Sequence, residues 1–491
     1  MKQRSILTFF LLVLASICIN AQQVKLTLSD AVSIALEKND KIKQYQEKLA
    51  EKEIEDKSAI GNFLPSINFD LGYTHLNDNM VIDLSPIHDV IISAQSSNQA
   101  ELTNIYNILA GGGALSNVQK NAVKNQAAAY LNGAIPPFTE VFKKQDFKSG
   151  TFTAVQPIFL GGKLLAAKKY ASAEKIAASF EFDKTKNEVV SEVVDDYMMV
   201  LLLDEVVKTR QDVLAGMQKH KADAKRLFDE GLIANYHLLR AEVAVAEAER
   251  NLSNDQNNLV LAKLALTHAM GLDDAAEIEL NDSLVFKNQS DSLGVCRQLA
   301  NDNQPILKLL EQKKIASEQN YNVARSSFLP QVGAFGKYDI YPQYLSSIEP
   351  RWAVGVQMKL NIFNGFKDYL KLQSAIHLED EVKYLQADTK RKIDLWINKA
   401  YLDVNNAKTR YQKLTATSAL ANENLRQNEK RFETGLGTSL EVIDAQLSLE
   451  KVQIEKYTSL YQYYVSLTDL YQASGNPQEI LKVWSNQEIS K

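Results

Sequence analysis

Apolar and polar residues alternate in short stretches that follow two Phe-Leu-Pro motifs. The residues from Ile67 to Tyr73 alternate in this way, and those from Trp352 to Ile362 do so more strictly. A period of two with one apolar face is typical of β-strands. The sequence predicts strands at about 66–76, 149–160, 331–341 and 351–362.

Apolar residues have a different spacing in two long segments that contain almost no Gly or Pro. From Lys367 to Phe432 there is neither, and apolar residues recur in steps of four and three. Such a heptad seam predicts one helix, ~100 Å long at about 1.5 Å per residue, that packs against partner helices. The segment from Lys163 to Phe228 predicts a matching helix with a broader apolar stripe. The heptad seam of the segment that ends at Phe432 consists of Ile393, Ile397, Ala400, Val404, Ala407, Tyr411, Leu414, Ser418, Ala421, Leu425, Asn428 and Phe432.

Each long helix is followed by a glycine and then by a second helical pattern. Gly231 and Gly435 stand where a helix C-terminus needs a residue in the left-handed conformation. The chain therefore reverses direction twice. The predicted tip hairpins lie at about 228–236 and 432–440.

The landmarks of the chain occur twice in the same order. The motif pairs are Phe-Leu-Pro at 63–65 and 328–330, Ile-Phe-x-Gly at 158–161 and 362–365, and Phe-x-x-Gly-Leu at 228–232 and 432–436. The offset is 265 residues for the first pair and 204 for the others, so the first copy carries 61 extra residues. Repetition of this kind predicts a duplicated helix-strand-strand-long helix-helix unit. The predicted division is 22–271 for the first repeat, 272–292 for a connector, 293–475 for the second repeat and 476–491 for a tail.

The first 21 residues predict an export signal. Lys2 and Arg4 precede a largely apolar run of 14 residues, and small Ala21 suits the position before a cleavage site. A lipoprotein signal that uses Cys18 is the alternative, although Ile17 before it is large for such a site.

Composition excludes several classes of protein. The 491 residues carry a net charge of −5, which gives no basic footprint for nucleic acid. Two cysteines provide no disulfide framework, and the six histidines show no metal-ligand spacing. The glycines at 111–113 lack the following Lys-Ser/Thr of a P-loop. We predict no catalytic residues, no cofactor and no metal site.

The strands allow two interpretations. No apolar run after the signal approaches the ~20 residues of a membrane helix. The strands therefore form either a soluble sheet over a core or membrane strands, with one side toward lipid and the other toward a lumen. Aromatic residues near the strand ends, such as Phe63 and Trp352, favour the membrane interpretation.

Four strands are too few for a closed membrane barrel, because the smallest have about eight. An open sheet in lipid would leave the backbone groups at its edges unsatisfied. Several chains must then share one barrel: two chains would supply about 8 strands, and three would supply about 12 with an open lumen.

These features resemble the TolC-like outer membrane efflux proteins over essentially the whole mature chain. The resemblance rests on the opening segment Leu26–Leu36, the paired motifs and Leu440–Gln446. It implies a mostly α-helical homotrimer with membrane β-barrel strands, about 12 in the shared barrel, and a long coiled-coil tunnel. It also implies contact with outer membrane lipid and an equatorial region built from segments such as 273–286 and the C-terminal tail. It further implies docking onto a periplasmic adaptor and an inner-membrane transporter. No enzymatic activity is implied.

The resemblance also implies residues for a pore gate. Glu441 and Asp444 fall at positions where acidic residues line the periplasmic constriction in the family. Their equivalents in the first copy are His237 and Arg240, which depart from the polar or acidic residues expected there. Gly437 replaces a basic residue that latches the closed entrance, so we expect the gate to be held differently.

Structural roles for the same carboxylates remain open. Glu441 is the third position of a capping box that begins at Thr438. Asp444 could instead pair with Arg240. The tips are also the predicted docking surface for the adaptor, since apolar residues beside a glycine turn form a helix-packing patch. The docking residues are Phe228, Gly231, Leu232, Phe432, Gly435 and Leu436.

The alternative function is a periplasmic coiled-coil adaptor or stalk without a barrel. The insertion, at about 77–148, is expected outside the cell, with loop-like content and some helical stretches. It is either a tolerated surface loop or a lid over the mouth. The exported substrate is not encoded in any of these motifs.

Overall fold

The structure, a computed structural model, describes residues 24–136, 139–273, 278–289, 291–345 and 349–485. The predicted signal at 1–21 and the end of the predicted tail lie outside these residues. The strands are β1 (Val24–Leu26), β2 (Ser66–His75), β3 (Met80–Asp83), β4 (Thr139–Lys143), β5 (Asp146–Leu160), β6 (Ile278–Leu280), β7 (Gln331–Asp339) and β8 (Trp352–Lys359).

The helices repeat in length between the two halves of the chain. They are α1 (Leu28–Lys38), α2 (Asp40–Gly61), α3 (Ser85–Leu109), α4 (Asn117–Ala134), α5 (Lys163–Asp229), α6 (Asn235–Ala269), α7 (Leu293–Asn303), α8 (Pro305–Arg325), α9 (Lys367–Glu433), α10 (Ser439–Ala473) and α11 (Glu479–Ser485). The pair α5 and α9 has 67 residues each, and α6 and α10 have 35 each. The two predicted long helices are confirmed within a residue at each end.

The chain divides into two compact units. One contains the described residues up to Ala59, then Leu165–Ala324 and those from Tyr369 onward. The other contains Ile60–Leu164 and Arg325–Asp368. The first is called the helical unit below, and the second the sheet unit.

The sheet unit is built on four antiparallel strands in the order β2-β5-β7-β8. Among the described residues, β2 and β8 each pair with one neighbour in this sheet, so both outer edges are unpaired. The predicted alternation is visible in the exposure of the edge strands. The exposed apolar side chains there are Ile67, Phe69, Leu71 and Tyr73 on β2 and Trp352, Val354, Val356 and Met358 on β8.

Between β2 and β5 the insertion folds into paired elements. Strands β3 and β4 pair in an antiparallel hairpin, and helices α3 and α4 pack together beyond it. The insertion is thus largely helical, whereas loop-like content with some helical stretches was expected. The sequence was misleading because the face of α3 that meets α4 is partly polar, with buried His88, Ser96 and Asn104.

The helical unit has its main core where α1, α5, α6, α9, α10 and α11 meet. Tyr197, Tyr463 and Tyr464 are fully buried there. A short parallel sheet joins β1 to β6 beside this core. Asp282 connects three elements, because its Oδ2 accepts hydrogen bonds from the Leu28 N–H, the Tyr197 hydroxyl at 2.6 Å and the Trp484 Nε1–H at 2.9 Å.

The heptad seam of α9 is confirmed as the packed face of the helix. Ile393, Ile397 and Ala400 are buried, and the later members are buried or half-buried. In the part of the chain that the structure describes, none of the helices combines the length and hydropathy needed to cross a membrane.

Candidate functional site at the helix tips

Both helix reversals use the same backbone geometry. Gly231 and Gly435 have φ of +74° and +76°, a conformation that strains any residue with a side chain. The Leu232 N–H donates to the Leu227 carbonyl at 2.8 Å, and the Leu436 N–H donates to the Arg431 carbonyl at 2.8 Å. These are Schellman motifs, which satisfy carbonyls at the end of a helix.

The helices that return from the tips begin differently. At the second tip the Thr438 hydroxyl accepts from the Glu441 N–H, and the Glu441 carboxylate accepts from the Thr438 N–H at 2.7 Å. The predicted capping box is therefore present. At the first tip the equivalent N-cap is Ala234, and no side chain caps that helix start.

The six predicted docking residues do not share one environment. Leu232 and Leu436 are 68% and 77% exposed, and Phe228 is partly exposed. Gly231 and Gly435 lie in open space. Phe432 differs from the expected exposure. It is 3% exposed because it packs into a cluster between the hairpins that consists of Ala224, Leu227, Ala241, Leu425, Val442, Ala445 and Leu449.

Glu441 has contacts on both sides of the second turn. Besides capping α10, its Oε1 lies 3.5 Å from Arg431 Nη1. Arg431 also donates to the carbonyl of Leu436 at 3.4 Å. The hydrogen bond from the Thr438 N–H, together with the positive charge of Arg431, lowers the pKa of Glu441 below its ordinary value.

The other three predicted gate residues are less constrained. Asp444 and Arg240 are exposed, and within the described residues no ion pair joins them. The alternative pairing of these two side chains is therefore absent in the single chain. His237 is half-buried, and its Nδ1 has no hydrogen-bond partner in the described part of the structure.

A buried contact joins the two tips. His220 Nε2, on α5, is hydrogen-bonded to Ser439 Oγ at the start of α10, at 2.7 Å. The His220 ring lies 4.6 Å from the ring of Phe432. Burial lowers the pKa of His220 to about 4, with nearby His237 acting in the same direction and Asp223 opposing it. The ring is therefore neutral at pH 7.

A second connection lies farther along the same helices. Arg210 on α5 donates through Nε to Asp255 of α6 at 2.7 Å and through Nη1 to Glu450 of α10. Between the two connections, Gly216 allows α5 to approach the Gln446 side chain, since an added Cβ would lie 3.0 Å from its Oε1. Charge and close packing both hold the first hairpin against the second.

Sequence reasoning missed His220, Ser439, Arg210 and Glu450. His220 and Ser439 are 219 residues apart, and Arg210 and Glu450 are 240 residues apart. A single sequence shows which face of a helix is buried but not which helix covers it. Gly216 was the one available signal, because a lone glycine in a long helix marks a close approach.

The tips combine exposed charged groups with buried contacts between the two hairpins. Exposed carboxylates lie beside a turn, and neutral and ionic contacts fasten two helical hairpins together. In the described ranges no group of three or more His, Cys, Asp or Glu side chains could hold a metal ion.

The fold is that of outer membrane channels. The structure matches that of the Campylobacter jejuni CmeC outer membrane channel with a TM-score of 0.69 and 14% identity, over 94% of this chain and 89% of that chain. The family model described as outer membrane efflux protein matches residues 143–272 and 296–476, more than half of the sequence. The chain belongs to the outer membrane efflux protein family.

Curated relatives agree with this assignment. The chain is 25% identical to outer membrane protein OprJ of Pseudomonas aeruginosa over 359 residues, which cover 71% of this chain and 70% of OprJ. It is 26% identical to outer membrane protein TolC of Vibrio cholerae over 196 residues, 39% of this chain and 41% of TolC. The TolC-like resemblance is confirmed, and the family consists of passive channels.

Proposed function

We propose that this protein is the outer membrane channel of a tripartite efflux or type I secretion system. It acts as a passive conduit that docks on a periplasmic adaptor and an inner-membrane transporter and opens at its helical tips. The observation that carries this proposal is the four-stranded sheet, whose edge strands are unpaired in one chain and whose large apolar side chains are exposed.

The sheet supports a homotrimer in the outer membrane. Exposed apolar residues at every second position of β2 and β8 suit contact with lipid, and unpaired edges in lipid are costly. Pairing the β2 edge of one copy with the β8 edge of the next would satisfy both. Three copies would give about 12 strands and an open lumen. The insertion at 77–148 joins strand ends opposite to those that continue into α5, which supports its placement outside the cell.

Features of the helix tips support both roles proposed for them, docking of the adaptor and gating of the channel entrance. Leu232 and Leu436 are exposed beside glycine turns and provide a patch on which helices of an adaptor would pack. Asp444 has no ion-pair partner among the described residues, so a trimer would present at least three free carboxylates to a narrow entrance. Such a ring favours cations. We further propose that removal of residues 1–21 precedes assembly.

The decisive experiment combines mass and conductance. The detergent-extracted protein is expected to be a trimer and to form cation-preferring channels in a planar bilayer. Asp444→Asn with Glu441→Gln should reduce the cation preference and the block by divalent ions. Arg240→Gln is the matched control at the equivalent position of the first tip, and it should not weaken cation preference.

Three results would contradict the proposal at different points. A stable monomer with an intact sheet would exclude the shared barrel. Release from membranes by salt alone would favour the periplasmic adaptor or stalk. Unchanged selectivity in the double variant would remove the two carboxylates from the gate while leaving the channel itself in place.

A further inference from the structure

Helix α3 of the insertion carries an apolar stripe on its exposed side. The stripe recurs in steps of 4, 3, 4, 4, 3 and 4 residues, an 11-residue repeat that keeps one face of a nearly straight helix in line. Its large apolar members are between 49% and 77% exposed. The stripe consists of Ile87, Ile91, Ala94, Asn98, Leu102, Ile105 and Leu109.

Several polar side chains of the hairpin bond to groups within the hairpin itself. Asn104 Oδ1 accepts from the Leu115 N–H at 2.9 Å, and the amide of Asn107 donates to the Gly113 carbonyl at 2.8 Å. Lys120 of α4 lies 3.1 Å from both carboxylate oxygens of Glu101. The inner face of α3 therefore holds these polar contacts beside buried Ile92 and Ala100, whereas its outer face is mainly apolar.

Charge distinguishes this hairpin from an ordinary solvated one. Residues 85–134 contain four charged residues, Asp89, Glu101, Lys120 and Lys124, whereas charged residues make up 23% of the whole chain. Helix α4 exposes mainly Asn, Gln and Ala, with Val118 and Tyr130 as its isolated large exposed side chains. The exposed apolar surface of α3 is longer and more continuous than that of α4, so α3 presents a face suited to packing against another helix.

The composition of the stripe favours contact with a second copy of this chain over contact with lipid. Asn98 interrupts it at the centre, between exposed Gln95 and Gln99. A polar group is costly in lipid, but a single Asn in a helix–helix seam can pair with its equivalent and fix register. Each copy brings one hairpin, because the insertion joins β2 and β5 of the same sheet.

We propose that the α3 helices of neighbouring copies pack through this stripe into a seam that narrows the outer mouth of the channel. The inference rests on the proposed trimer, whose strand ends would bring three hairpins to the same side of the membrane. The seam adds a contact between copies that is independent of the strand pairing.

Cysteine cross-linking tests the seam directly. Ile105→Cys lies in the stripe, and Asn125→Cys on the exposed side of α4 is the matched control. Cys296, the cysteine of the described residues, is buried and should not react. Oxidation of the purified trimer, or a short bis-maleimide, should link two of the three Ile105→Cys chains into a covalent dimer of twice the chain mass and leave Asn125→Cys monomeric on a denaturing gel.

A second variant links the seam to conduction. Leu102→Asp would bring carboxylates together in the seam, so adding it to Ile105→Cys should abolish the cross-link. On its own it should raise single-channel conductance. A cross-link that persists in the double variant, or a conductance equal to the parent, would contradict a seam that narrows the mouth.

The remaining outcomes separate this inference from the proposed function. A conducting trimer in which Ile105→Cys gives no covalent dimer would overturn the seam and leave the channel in place. Quenching of a fluorophore on Ile105→Cys by nitroxide lipids in phosphatidylcholine vesicles would place α3 against lipid and also overturn it. A monomeric mass would overturn the seam and the channel together.

Discussion

The two helix tips have the same backbone and different chemistry. Phe228 and Phe432 are equivalent by the 204-residue offset, yet the first is partly exposed and the second is buried under His220. The residue equivalent to His220 in the second copy is Asn424. The backbone turn is therefore the same at both tips, whereas the packing of the equivalent phenylalanines differs.

The largest expected effect comes from the two phenylalanines. Phe432→Ala should destabilise the second tip by about 3–5 kcal/mol, because it empties a packed site between the hairpins. Phe228→Ala should cost about 1–2 kcal/mol, since Phe228 is already 37% exposed to water. Hydrogen exchange of the tip amides in the trimer measures both.

The same two variants test whether the two tips still differ in packing within the assembled protein. An equally large loss for Phe228→Ala would mean that a neighbouring copy covers that ring in the assembly. Phe228 would then not be free for docking, and the exposed docking patch would reduce to Leu232 and Leu436.

Acid should loosen the contact between the tips. His220 has a folded pKa of about 4 against an ordinary value of about 6.5. Between these values the unfolded tip binds more protons at His220, so the His220 contribution to stability falls as the pH is lowered from about 6.5 to 4 and changes no further below that. The loss is at most about 3 kcal/mol, at about 1.4 kcal/mol per pH unit.

The measurement is tip hydrogen exchange between pH 7 and pH 4. His220→Gln retains a hydrogen-bonding group and removes the titration, so it should flatten the pH dependence. A profile identical to that of the parent would assign the acid response to other groups.

The smallest effect concerns the helix caps. Thr438→Ala should destabilise the second tip by about 1 kcal/mol, because the Glu441 N–H loses its acceptor. Ala234→Ser should stabilise the first tip by a similar or smaller amount, since it supplies the missing cap. If both changes leave exchange at their tips unaltered, capping does not contribute to the difference between them.

How far the sequence predicted these regions depends on the range of the interactions. Heptad spacing and the glycines located the long helices and the turns, because both signals are local. The 219-residue separation of His220 and Ser439 carries no such signal. In the insertion, pattern reasoning failed for a related reason: the apolar stripe of α3 faces outward, so it does not indicate a core within the chain.

The equal lengths of α5 and α9, and of α6 and α10, limit the insertions and deletions that these helices can tolerate. Removing one codon from α9 would shift everything beyond it by about 1.5 Å and turn it by about 100°. Phe432 would then leave His220. Deleting seven residues from one of these four helices would restore the rotation about the helix axis but misplace the tip by about 10 Å. Insertions and deletions should therefore be tolerated in α5, α6, α9 and α10 only when all four helices change in length together, whereas loops tolerate them one at a time.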